Sequence, residues 1–147
     1  MKNLKWIVLG VLAVFVATSL ALAQAPSVSM DPCSNYARTS QPISAATAGT
    51  TRIINNATTN GSVYICALWL NSVGGTSTLE YGTGTACATA ATATTMTGPL
   101  AAASTVSMGG GVGSLLIAPA GQSVCILAGA STTATAGFVS YVINGPM

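Results

Sequence analysis

Residues 63–70 read VYICALWL, a run without a charge, a glycine or a proline. Its β-branched and aromatic side chains favour extended backbone, and the run is too short for a helix of ordinary length. Strict alternation puts Val63, Ile65, Ala67 and Trp69 on one face and Tyr64, Cys66, Leu68 and Leu70 on the other. Both faces are apolar, so a strand of this kind is covered on both sides. In a small domain one face meets an opposing sheet and the other meets a covering segment or a second subunit. On this parity Trp69 is interior, and Trp69, Tyr64 and Leu68 are the candidate subunit contacts.

The chain around this run has the same texture in shorter pieces. Residues 51–55, 78–81, 114–118, 123–128 and 137–143 are β-prone stretches separated by turn residues, and Asn60-Gly61 is the strongest hairpin signal. In residues 78–81 the alternation turns Leu79 and Tyr81 inward and Thr78 and Glu80 outward. The Ala-Thr tract at 86–97 lacks a helical apolar stripe and reads as a loop or an edge strand. No amphipathic helix competes. The pattern predicts an all-β protein, an antiparallel sandwich of jelly-roll type over residues 43–147.

The N-terminal 23 residues carry Lys2 and Lys5, then an apolar run, then the small-residue ending Ala21-Leu22-Ala23. This is the pattern of a cleaved secretory signal peptide and predicts a signal helix before the sandwich, with an uncleaved membrane anchor as the alternative. Residues 24–42 are proline-punctuated and read as an extended arm. The predicted location is secreted, extracellular or at the cell surface, with contact to a membrane only through the signal peptide.

Without the leader the ionised side chains are Asp31, Arg38, Arg52 and Glu80, a net charge of zero. So neutral a chain cannot neutralise a run of phosphates, which argues against nucleic acid as a partner. It also lacks the repulsion that keeps soluble monomers apart, so the partner to expect is a second copy, in a homo-oligomer or filament.

Four cysteines, Cys33, Cys66, Cys87 and Cys125, lie in the exported part and predict two disulfides. Three pairings are open. Cys66 with Cys125 is preferred because both sit mid-strand, which leaves Cys33 with Cys87. A zinc site does not fit, because no C-x-x-C pair and no histidine is present.

Residue types for catalysis are scarce. Histidine is absent and both lysines belong to the leader, so the usual general base and the Schiff-base nucleophile are missing. An enzyme would need Asp31 and Glu80 to converge in one pocket. The reading here is that there are no catalytic, cofactor-binding or metal residues, and that Glu80 is a surface charge within reach of Arg38 or Arg52. Asn56 and Asn60 head matches to the glycosylation acceptor pattern. A glycan-binding module is the second functional class, for which tyrosines clustered on one exposed face would speak.

In LEYGTGTAC, residues 79–87, Gly82 and Gly84 supply a bend that Cys87 fixes covalently. Together with DPC at 31–33, YIC at 64–66, TGP at 97–99, PAGQSVC at 119–125 and GFVSYV at 137–142, this element resembles small proteins found in phages and among exported proteins of bacteria. The resemblance implies a compact β-sandwich of virion-surface or extracellular structural type and brings no catalytic residue with it. A leader does not suit a virion subunit assembled in the cytoplasm, so the resemblance points to an exported surface or matrix relative.

Overall fold

The computed structural model describes residues 31–57, 60–84, 87, 93–109, 113–132 and 134–144. The predicted leader and the first part of the predicted arm fall outside these residues. Asp31 caps a single helical turn, α1 (Pro32–Asn35), accepting the Cys33 N–H on Oδ1 at 2.8 Å. Pro32 stands where its missing N–H is not required.

Among the described residues nine strands follow: β1 (Thr39–Ala45), β2 (Gly49–Ile54), β3 (Ser62–Val73), β4 (Ser77–Gly82), β5 (Thr94–Thr95), β6 (Ser104–Gly109), β7 (Leu116–Ala118), β8 (Ser123–Ala128) and β9 (Ala134–Asn144). They form two antiparallel sheets, ordered β1-β9-β3-β6 and β2-β8-β4-β5, with β7 pairing β3 on the same side as β6. If β6 and β7 are counted as one interrupted strand, the first strand pairs the last and the chain changes sheet at every connection except β4 to β5, the double Greek key of a jelly roll.

The core lies between the sheets. Ile43, Val63, Ile65, Leu68, Leu70 and Val139 face Ile53, Ile54, Leu79, Val124 and Ile126, with Tyr81, Met108 and Tyr141 packed at its margin. Fully burying one such aliphatic side chain stabilises the fold by about 1.5–3 kcal/mol. At one end the core gives way to hydroxyls. Ser72 donates to the Gly75 carbonyl at 2.7 Å, Ser72 and Ser77 lie 2.9 Å apart, and Ser77 and Thr135 2.6 Å apart. Since the Ser72 proton is committed to Gly75, Ser77 donates to Ser72 and Thr135 donates to Ser77.

Several expectations change. The sandwich begins at Thr39 rather than residue 43: residues 32–35 form α1, and residues 39–42 open β1 along β9. Asn60-Gly61 does not close a hairpin, because β2 pairs β8 while β3 pairs β9, β6 and β7. It carries the chain from one sheet to the other. β6 runs to Gly109, the first of three consecutive glycines in the sequence.

The disulfides are Cys33–Cys66 and Cys87–Cys125, not the preferred Cys66–Cys125 and Cys33–Cys87. Cys66 and Cys125 are both mid-strand, but in different sheets and pointing away from each other. Each is therefore joined to a segment lying over its own sheet.

Candidate functional site

The two carboxylates that an enzyme would need are held apart. Asp31 stands over the outer face of the β1-β9-β3-β6 sheet, where α1 packs Cys33 against Cys66, Val142 and Tyr64. Its Oδ2 accepts both the N–H and the hydroxyl of Ser114 at 2.8 Å. Those Ser114 bonds, helped by the Cys33 N–H and nearby Arg38, hold its carboxyl below the ordinary value.

Glu80 lies on the outer face of the other sheet, in register with Cys125 on β8 and Thr95 on β5. Its neighbour Leu79 fills the core. Both sheets thus separate Glu80 from Asp31, and the two do not share a site.

Alternation does turn Glu80 outward, but it is not a surface charge: only 5% of it is exposed. The reason is its register partner. Cys125 is bonded to Cys87, and Cys87 is itself buried against the Ser123 carbonyl. The disulfide therefore holds Cys87 over this face. Gly84 supplies a positive φ of 85°, and a Cβ at Gly82 would stand 3.0 Å from the Cys87 carbonyl oxygen. Burial pushes the Glu80 carboxyl up, opposed by a side-chain hydrogen bond with Thr50. The expected arginine partners are elsewhere: Arg38 Nε donates to the Cys33 carbonyl at 2.8 Å, and Arg52 Nη1 to Asn55 Oδ1 at 3.3 Å.

No family model, characterised protein or solved structure matches this chain.

The surface that stands out is the outer face of the β1-β9-β3-β6 sheet. β3 and β9 pair with a register shift between Ile65 and Ala67, a bulge at Cys66. One extra residue reverses the alternation beyond it. Val63 and Ile65 point inward before the bulge, and Leu68 and Leu70 point inward after it. Trp69 is accordingly turned out, 37% exposed, against the interior position that strict alternation assigns it.

Trp69 pairs Phe138 on β9, itself 46% exposed, and the rings stack at 6.3 Å between centroids. Pro42 of β1 flanks Phe138, and Ser107 of β6 flanks Trp69. The residues sharing this face along the four strands carry no charge.

Of the other predicted subunit contacts, Leu68 is in the core at 1% exposure and drops out, because the bulge turns it inward. Tyr64 is half-buried beside α1 and the Cys33–Cys66 bond, which is the covering segment. The tyrosines do not cluster: Tyr36 is exposed, Tyr81 and Tyr141 pack on the core, and Tyr64 sits under α1. Phe138 escaped the sequence reading because partnership with Trp69 depends on the bulge. Asn56 is fully buried, its amide donating to the Gly61 carbonyl at 2.6 Å, while Asn60 is exposed. Among the described residues no group of three or more His, Cys, Asp or Glu side chains gathers to hold a metal ion.

Proposed function

We propose that this chain is an exported, non-enzymatic structural or interaction subunit that associates with its own copies through the outer face of the β1-β9-β3-β6 sheet. The observation that carries the reading is the Trp69–Phe138 pair, two large rings stacked on each other yet open to solvent on a face whose strand residues carry no charge. Large aromatic side chains are enriched at the centres of protein interfaces, and an exposed apolar patch rimmed by polar residues marks a contact surface.

The charge inventory supports the same reading. With residues 1–23 removed, two arginines oppose two carboxylates, so like copies meet without net repulsion. Two disulfides suit an oxidising location outside the cytoplasm. The separation of Asp31 from Glu80 removes the two-carboxylate arrangement on which an enzymatic reading would rest. The reading places the chain with the exported members of the group it resembles.

The test is the native mass of the leaderless protein, by light scattering over a range of concentrations under non-reducing conditions. Multiples of the chain mass are expected, shifting toward monomer in the Trp69→Ser/Phe138→Ser double variant. A monomer at every concentration would sink the reading.

Glycan binding is the second reading, favoured by the same exposed rings, since sugar rings stack on aromatic faces. Trp69 is the single tryptophan left once Trp6 departs with the leader. Its fluorescence therefore reports directly on a glycan panel, and a saturable change would move the assignment to this class.

A further inference from the structure

We propose that two copies of this chain join edge to edge through β6, the two β6 strands pairing antiparallel to make one continuous sheet. The inference rests on the self-association reading above and adds an edge contact to the face contact proposed there.

The lateral edges of the two sheets are not equivalent. On β1, Pro42 sits mid-strand, and proline is tolerated in an edge strand where its missing N–H faces outward, so that edge lacks a donor. β2 carries Arg52 and an irregular register between Arg52 and Ile54, both devices that blunt an edge. β5 spans only Thr94 and Thr95, and the rest of the β4 edge is occupied: Ser77 exchanges hydrogen bonds with Leu100, and Leu79 accepts from Met96 and donates to Thr97.

β6 has no such guard. Its six residues, STVSMG, contain no charge and no proline, and they pair β3 without a register break from Ser72↔Ser104 to Ala67↔Gly109. Among the described residues no strand pairs its other side. An unguarded edge of this length is a template for another strand.

The pattern along β6 points to a second copy as the occupant. A partner strand must alternate as β6 does: Val106, in register with inward-facing Leu70, and Met108, packed at the core margin, are half-buried, while Thr105 and Ser107 are exposed on the outer face. A two-fold axis perpendicular to the sheet brings residues of like parity together, so Ser107 meets Ser107 or Thr105 of the partner. Small hydroxyl side chains then meet on the outer face, and on the inner side each copy extends the other's apolar layer. No charge is buried. Because Ser107 is in register with Trp69, the same axis sets two Trp69–Phe138 pairs on one broadened face.

Ser107→Lys and Ser107→Glu test the joint in the leaderless chain with both disulfides intact, since Ser107 is exposed and neither change disturbs the core. At a concentration where the wild type associates, each variant alone is expected to lose associated mass, and an equimolar mixture to regain it as unlike charges come together across the joint. Amide exchange of the unmutated protein gives an independent reading: residues 104–109 should become protected as concentration rises. Variants as large as the wild type, a mixture that regains no mass, or β6 exchange indifferent to concentration would each overturn the joint while leaving self-association standing. A wild type that is monomeric throughout would remove both.

Discussion

Glu80 shows how a single cross-link changes what a residue is. Alternation turns it outward, and an outward carboxylate is ordinarily a solvated one. The Cys87–Cys125 bond covers that face instead. Its carboxyl is raised above the ordinary 4.5, so between that value and its folded value the native state holds more protons than the unfolded chain. The Glu80 contribution to stability is therefore whole below the unfolded value and is lost as pH rises through the folded one. Urea midpoints of the wild type should decline across that window, and Glu80→Gln should flatten the decline. A wild-type midpoint that rises there would contradict the assignment. Asp31 runs the opposite way: lowered from 3.8, its contribution is present above that value and is lost as pH falls through its folded value, below the window in question.

Among the elements, β3 decides most. Its composition makes it legible as a strand covered on both sides, and that much is seen: the inner face meets the opposing sheet, and part of the outer face lies under α1. The bulge at Cys66 was not legible, because a bulge is a property of two strands and β9 pairs β3 from more than sixty residues away. The aromatic pair depends on it, so the candidate surface was hidden even though Trp69 was singled out. β1 and β6 were missed for a similar reason. Their polar alternation is weak in isolation and gains meaning only from the long neighbours they border. Of the strands legible in the sequence, β2, β3, β4, β7, β8 and β9, it is β3, β8 and β9 that carry the densest apolar runs. The hydroxyl chain belongs to this scale too, since it ties β3, β4 and β9 at one end of the sandwich. Ser77→Ala would leave both Ser72 and Thr135 short of a partner and should cost about 1–3 kcal/mol in denaturant unfolding, whereas an exposed serine such as Ser44 should tolerate the same change.

For the whole molecule the disulfides weigh heavily. They close loops spanning 33 and 38 residues. Constraint of the unfolded chain by loops of this size is worth about 4 kcal/mol each in the chain-entropy account, against a typical domain stability of about 5–15 kcal/mol. Reduction of both should leave the fold marginal, and a reduced protein whose denaturant midpoint matches the oxidised one would show that the core alone suffices.

Cys33–Cys66 also alters how the molecule carries tension. Pulled from the chain ahead of Asp31, a sandwich without this link would take the load first on β1, an edge strand that peels one pair at a time. The covalent bond instead delivers force at Cys66, on β3, which is held by β9 on one side and by β6 and β7 on the other. The load bypasses an edge strand and enters one paired on both sides, so a subunit tethered by its N-terminal side is reinforced along the line on which the tether would pull.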